Sequence, residues 1–596
     1  MESKGSLFRW IFIGLAVFLA IKFGSRFFGG DEGKTELQPL MQESRRVPDV
    51  RLPERTCEIR TDRFAAVLTS WGASLKHFQL TTAKYRRKGT PIDLATTPDW
   101  EFLMQLRTNL RNEAVLPADD PNWQIDFDNV DFQLTGGDSK SCTFQYRDSK
   151  VEIRKQIRAT ERPYELEVEL TVKNLDKAKR RHALVVDTDA WRTQKEVTGG
   201  MFRVSPFLTH VECIGMDGKA TRLRPDDFEP DDFKKPPFGP APLNPGDFYQ
   251  VSGSVDVAAV SNAYFSHSLV PERSTNNITP VCQLKIEDFW DHNQYRKRSD
   301  DPKLASAYRA RLAYPAKDLE PGESATYSVL SYIGPKERTV LSAAGGGRTR
   351  LSELIDLGFF AIIAKVLVGF LLTVHGVIPN WGVAIIILTL TARTLLFPLA
   401  IPSIRSMVKM RELKPELDAI TAKFKDDAQA RGLAQMELWR KHKVNPLKGC
   451  LPQLASMPVW FALYTTLQTA VELYNIPFLW FPDLSMPDPL FVLPFVIGTT
   501  SFIQQRMMPM QGGDPAQQKM MLYMMPAMFT VFMLFLPSGL GVYMFTNGVL
   551  GIIQQQTVEW HVRRTSKSTP PTTTASQKPE LKNSSRVQAL PRKGKV

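Results

Sequence analysis

The stretch 381–400, WGVAIIILTLTARTLLFPLA, decides the fold. At 1.5 Å of rise per residue, a helix of about 20 apolar residues covers the ~30 Å hydrocarbon slab of a bilayer. Its one charge is Arg393. A cation at mid-span costs about 2.5–3.5 kcal/mol even on lenient scales, so it normally faces protein or water. Arg393 stands seven residues from the end of the stretch, about 10 Å along a helix, and its long side chain could partly snorkel that distance. Thr389, at i−4, shares its face,. A polar, cationic stripe on a greasy helix points instead to a hydrated cavity. Both readings stay open on these residues alone.

Working outward, further apolar spans occur near 452–471, 490–506, 520–537 and 540–556. The stretch 357–379 is apolar too, but holds Lys365 and His375. The chain carries 75 Lys+Arg against 62 Asp+Glu, a net charge of +13. Residues 401–450 contribute +5 of it and 561–596 contribute +8, so the basic excess is local and a chain coated uniformly in nucleic acid is excluded,. The positive-inside bias puts this loop and this tail in the cytoplasm. Five crossings from 381 to 556 satisfy that. The large region between about 57 and 345 then lies outside, provided that 351–377 does not cross but rests on the outer face as an amphipathic helix.

The first half of the chain has another periodicity. In 164–173, Tyr164, Leu166, Val168, Leu170 and Val172 alternate with Glu165, Glu167, Glu169, Thr171 and Lys173. Period two is what a half-buried strand requires. Similar runs at 64–69, 183–187 and 325–333, with Gly, Asn, Asp and Pro between them, suggest a β-sandwich over 57–345. Seven prolines in 221–246 mark a long loop,. Cys57, Cys142, Cys213 and Cys282 fall in this region. An outside location permits disulfides, but spacing cannot pair them, and unpaired core cysteines remain an alternative. Ahead of it, the apolar run Trp10–Ile21 between Arg9 and Lys22 has the length of a signal-peptide core or a short membrane anchor, and with no clear small-x-small cleavage site after it the uncleaved anchor over 1–30 is favoured. Residues 31–56 follow as a polar linker.

Several chemistries are missing. There is no phosphate-cradling G-x-x-x-x-G-K-[ST] and no H-E-x-x-H, and the eight histidines are scattered, which disfavours a nucleotide motor or a zinc protease. No cofactor is expected. Residues 403–443 read as a cytoplasmic helical hairpin, with Leu413, Leu417, Ile420 and Phe424 on one helix and Leu433, Met436 and Trp439 on the next,. Nine of the 20 methionines lie between Met507 and Met533, either as bundle filling or as an adaptable surface. The tail 561–596, rich in Ser, Thr and Pro, cannot bury a core and is expected to be disordered.

Read together, TARTLLFPL at 391–399, KMRELKPEL at 409–417, KVNPLKGCLPQL at 443–454, PVWFALY at 458–464, DLSMPDP at 483–489 and PSGLGVYMFTNGVLGIIQQQ at 537–556 resemble the YidC-type membrane protein insertase family. With an anchor and a β domain ahead of the core, the chain is similar to the long form of Gram-negative bacteria. The resemblance implies a polytopic α-helical membrane bundle, with a five-helix insertase core over 381–560, an N-terminal anchor helix and a large extracytoplasmic β-sandwich. It implies a hydrophilic groove open to cytoplasm and lipid, with Arg393, Thr389, Gln504, Tyr543 and Asn547 lining it. Where family members often place a second aromatic after that tyrosine, this chain has Met544. Nascent membrane proteins are the implied substrates, with the ribosome, the Sec translocon and membrane lipids as partners. The implied location is the inner membrane, with the N-terminus and tail cytoplasmic and the β domain periplasmic. A secondary transporter binding an anionic solute at Arg393 is the alternative, and inverted repeats would favour it. A polar linker ahead of the β domain also suggests modularity, hence a β domain dispensable for insertion.

Overall fold

The computed structural model describes, apart from a few single positions, residues 38–40, 52–97, 106–111, 131–193, 208–228, 243–272, 279–288, 301–442, 459–507 and 515–567. The expected anchor at 1–30, most of the linker 31–56, the motif at 443–454 and the tail beyond Lys567 lie outside these residues, as does much of the proline-rich loop.

The described residues of the first half are mainly β structure. The alternating stretch forms the strand Glu165–Asn174, paired antiparallel with Ser324–Pro335 so that Val168 faces Val329 and Leu170 faces Tyr327. Leu166, Val168, Leu170 and Val172 are buried, as the two-residue period requires,. A nine-stranded antiparallel sheet runs, in spatial order, from Ala220–Leu223 through His210–Gly215, Val255–Ser261, Phe265–Pro271, Ser324–Pro335, Glu165–Asn174 and Val151–Ala159 to Ser141–Arg147 and Gln133–Gly137. Phe248–Val251, Val281–Asp288, Ala305–Ala313 and Arg180–Thr193 make the centre of a second, seven-stranded sheet. A three-stranded sheet, Thr56–Arg60, Phe64–Thr69 and Ser74–Leu80, packs alongside. One apolar core draws on all three, with Leu68, Phe144, Val257, Leu284 and Leu312 among its members. This is the expected layered β domain.

All four cysteines of this region are paired. Cys57–Cys142 ties the three-stranded sheet to the next-to-edge strand of the nine-stranded one, and Cys213–Cys282 staples the two large sheets together. Both bridges close loops longer than 60 residues. Such crosslinks restrict the unfolded chain by about 4 kcal/mol each in the chain-entropy account.

After a linking segment that includes the short helix Arg338–Ala343, the second half is helical. Its elements are α1 (Ala361–Val377), α2 (Trp381–Glu412), α3 (Lys414–Lys423), α4 (Ala428–Lys441), a helical stretch at 461–469, α5 (Val492–Met507), α6 (Pro515–Met533) and α7 (Ser538–Lys567). Three differences from the sequence reading stand out. The expected amphipathic helix 351–377 is a 3-10 turn at Leu351–Leu354 followed, after an irregular link, by α1. α2 does not stop near 400 but continues through Pro398 and Pro402 to Glu412. A proline removes one N–H from a helix yet can be carried where neighbouring groups satisfy the backbone, and so the hairpin proper begins only at Lys414,. Finally, among the described residues only Trp381–Pro398 is by itself long and apolar enough to cross a bilayer. α5 has 16 residues, and the apolar part of α6 begins at Lys519.

Local signals set the helix starts. Asn380 caps α2, its Oδ1 accepting from Val383 N–H at 3.1 Å,. Asp427 caps α4 in the same way, accepting from the amides of Gln429 and Ala430. On α4, Leu433 and Met436 are exposed although Leu438 is buried.

Candidate functional site

The helices meet in two dissimilar zones. In the first, Trp381, Ala384, Ile385 and Leu388 of α2 pack with Leu463 and Leu467, with Leu493 and Ile497 of α5, with Met533 of α6, and with Leu540 and Val542 of α7. Glycines bring the backbones close. A Cβ on Gly382 would lie 2.2 Å from the Phe478 ring, one on Gly498 2.0 Å from Thr530 Oγ1, and one on Gly541 2.5 Å from Leu493. Small residues at such crossings are what lets helices pack where lipid gives no hydrophobic drive.

One turn beyond Leu388 the same helices turn polar. Arg393 on α2 donates from Nε to Asn547 Oδ1 at 2.7 Å, from Nη2 to the Asn547 carbonyl at 3.0 Å and from Nη1 to Gln554 Oε1 at 3.2 Å. Gln554 Nε2 returns a bond to the Arg393 carbonyl at 3.3 Å. From α5, Gln504 Nε2 donates to the Gly548 carbonyl at 2.9 Å. Gly551 makes room for this convergence, since a Cβ there would lie 2.6 Å from Gln504 Nε2 and 3.2 Å from Arg393 Nη2. Among the described residues, all three acceptors of the guanidinium are neutral oxygens, so its positive charge is not offset by a carboxylate there. Neutral hydrogen bonds take up three of its five N–H donors without neutralising it, and such a site attracts anions,.

Arg393, Gln504 and Asn547 are therefore brought together. Tyr543 sits one turn before Asn547 but is buried in the apolar cluster. Thr389 is buried and donates to its own helix, at the Ile385 carbonyl 2.7 Å away, so its hydroxyl is not a partner of Arg393 in this arrangement. Sequence reading missed Gln554 and Gly551. The signal was present in 547–554, because Asn547, Gly551 and Gln554 fall at i, i+4 and i+7 on one helical face,.

Past this polar seam the helix ends are fastened again. Arg411 of α2 donates from Nη1 to Glu559 Oε1 of α7 at 2.7 Å and from Nη2 to the Met507 carbonyl at the end of α5. Gln555 Nε2 reaches the same carbonyl at 3.2 Å. Among the described residues, no group of three or more His, Cys, Asp or Glu is placed to hold a metal ion.

The packed zone is also welded to the β domain. Val471 and Tyr474, from the link between 461–469 and α5, belong to the β domain's own core. The Tyr474 ring lies among Tyr85, Tyr264 and Phe265, with centroids 5.6–6.2 Å apart. Glu472 accepts from Arg338 Nη1 at 2.7 Å and from Arg338 N–H at 3.1 Å. Asn475 Nδ2 donates to the carbonyls of Lys84 and Arg86. The Tyr85 hydroxyl donates to Glu337, and burial, with that carboxylate beside it, raises the phenol far above its ordinary pKa.

Residues 56–370 match the family model described as the YidC periplasmic domain, and residues 373–565 match that of the 60Kd inner membrane protein. The membrane protein insertase YidC of Anaeromyxobacter sp. (strain K) is 35% identical over 520 residues, covering 85% of this chain and 86% of that protein. The YidC insertase of Geobacter sulfurreducens is 43% identical over 255 residues, 42% of this chain and 47% of that one. Among solved structures, a YidC insertase crystal structure with its first transmembrane domain resolved covers 92% of this chain and 98% of its own, at 16% identity and a TM-score of 0.35. An inner membrane protein with a periplasmic β domain and a C-terminal helical region, this chain belongs to the YidC membrane protein insertase family.

Proposed function

We propose that this insertase moves the short polar tails of newly made membrane proteins along the seam of Arg393, Gln504, Asn547 and Gln554 while their apolar segments enter lipid beside it. It is not an enzyme, and the transporter alternative has no support from its relatives. A substrate span of about 20 apolar residues gains free energy by entering lipid, so no nucleotide is needed. The obstacle is kinetic, because each charge on the tail costs several kcal/mol in the apolar slab. A polar seam reaching partway lowers that barrier, and a cation whose partners among the described residues are neutral draws acidic tails. That uncompensated guanidinium carries the proposal.

In this reading the seam is a hydrophilic groove open to cytoplasm and lipid within a five-helix core at 381–560, and Thr389 and Tyr543 lie at its dry end. The packed zone closes the outer side. The β domain at 57–345 is periplasmic, α1 lies on the outer membrane surface, and the basic loop and tail are cytoplasmic, where they would meet ribosomes. The Sec translocon and membrane lipids are the other expected partners, with folding assistance to substrates as a second service. A photo-crosslinking residue at 504 or 547 should capture a ribosome-bound nascent membrane protein in liposomes, whereas one at 385 or 540, in the packed zone, should not. Equal capture from both zones would refute a substrate path confined to the seam.

A further inference from the structure

The junction between the β domain and α1 holds a cavity of about 640 Å³ that the insertion path does not use. That volume falls within the roughly 300–1,000 Å³ typical of sites for small ligands. Its lining is charged and balanced, with Asp217, Glu353 and Asp356 against Lys219, Arg222 and Lys365. The floor is built rather than incidental. Arg222 is held by Glu212 at 2.7 Å and donates to the Glu353 carbonyl at 2.8 Å, and Asp356 is taken up by Arg224 at 3.1 Å. Burial opposes the charge on Glu212, but His210, Arg222 and Lys336 hold its carboxyl well below the usual range.

The rim differs from the floor. The Glu353 side chain is partly exposed and lies 3.6 Å from the ammonium of Lys365, which is itself 62% exposed. Lys365 stands on the outward face of α1 between Ile362 and Val366, which are 83% and 69% exposed, with Phe359 below them at 75%. An exposed stripe of large apolar residues on an inner membrane protein is covered by acyl chains. The cavity mouth therefore opens at the depth where acyl chains end and headgroups begin.

We infer that this cavity binds the zwitterionic, primary-ammonium headgroup of a membrane phospholipid of the phosphatidylethanolamine type. Its ammonium donates to the carboxylates of Glu353 and Asp217, and its phosphate meets Lys365, with the acyl chains running along Ile362 and Val366. A net-neutral lining suits a headgroup carrying one charge of each sign, whereas an anionic headgroup would bring no cation to Glu353 and Asp217. A choline headgroup has no N–H to donate. The inference rests on α1 lying on the membrane surface.

The test reconstitutes the full chain in nanodiscs containing a trace of photoreactive phosphatidylethanolamine, with either unlabelled phosphatidylethanolamine or phosphatidylcholine as competitor. Glu353→Gln keeps the carbonyl that Arg222 uses, and Lys365→Gln removes an exposed charge together with its 3.6 Å pairing to Glu353. Each should lower crosslinking to the cavity by roughly tenfold, the usual effect of losing one charge-assisted contact. Phosphatidylethanolamine should compete well, phosphatidylcholine poorly, and soluble glycerophosphoethanolamine not at all. Equal competition by the two lipids, or unchanged crosslinking in both variants, overturns the inference. A polarity-sensitive dye on Ile362→Cys separates the two levels. A dye in lipid with unselective crosslinking leaves the surface helix standing and removes the headgroup site, whereas a dye in water removes both.

Discussion

The two zones of the helical region use the same helices to opposite ends. Around Trp381, Ile385, Leu493 and Leu540, apolar side chains and close glycines fill the space. Around Arg393, Gln504, Asn547 and Gln554, polar side chains hold the helices by hydrogen bonds and leave one charge uncompensated. A bundle can thus be shut at one level by packing and made wettable at the next by exchanging a few side chains on one face. The shut level is also where the β domain is fastened, so closure and anchoring coincide.

Filling the shut zone should have the largest effect. Gly382→Leu drives a side chain into the Phe478 ring, and we expect destabilisation of about 3 kcal/mol, seen as a lowered thermal midpoint in detergent,. A midpoint within 2 °C of the parent would show that the zone is looser than its contacts indicate.

Unfastening the β domain should come next. Glu472→Ala strands the partly buried guanidinium of Arg338 and should cost about 2 kcal/mol, with faster proteolysis between 336 and 360,. The same contact joins the helical region to the β domain. Deleting it would expose Val471 and Tyr474, which complete its core. The double reversal Arg338→Glu/Glu472→Arg should recover part of the loss. Failure of Glu472→Ala to alter either readout would mean the two regions are merely adjacent.

The β domain offers a smaller, pH-dependent contrast. Lys155 is fully buried and donates to the Leu106 carbonyl at 2.6 Å, and burial lowers its pKa from 10.5 to about 7. Lys336 is lowered to about 8, mainly by burial. Between pH 7 and 10 the unfolded chain therefore binds more protons, so these groups make stability rise with pH, by up to about 1.4 kcal/mol per unit for each. Lys155→Met should flatten that rise in urea titrations at pH 7, 8 and 9. An unchanged slope would assign the dependence elsewhere.

What was legible in the sequence was whatever depends on neighbours along the chain. Period-two alternation fixed the strand at 165–174, and the run at 381–400 fixed the membrane part of α2. Long-range pairing was not legible. Cys57 finds Cys142 and Glu472 finds Arg338 only because sheets and helices bring distant segments together. The reading ended this helix near 400, whereas α2 runs through Pro398 and Pro402 to Glu412, since a proline's cost depends on surroundings that the sequence does not display,. At the candidate site, Arg393 was conspicuous as a charge among apolar residues, whereas Gln554 looked like any glutamine near a helix end. Thr389 was picked for sharing a face with Arg393, but its hydroxyl bonds its own backbone.

The most direct test concerns the charge of Arg393. Insertion into proteoliposomes is measured for one substrate carrying either an acidic or a neutralised tail, with protease resistance followed for each variant. Arg393→Lys keeps the charge but loses the fork to Asn547 and Gln554, so it should lose some stability while still favouring the acidic tail. Arg393→Ala should lower insertion of the acidic tail about tenfold, equivalent to ~1.4 kcal/mol, and leave the neutral tail nearly unaffected. Equal impairment of both tails by Lys and Ala alike would contradict the account, because Arg393 would then act only as a brace between α2 and α7.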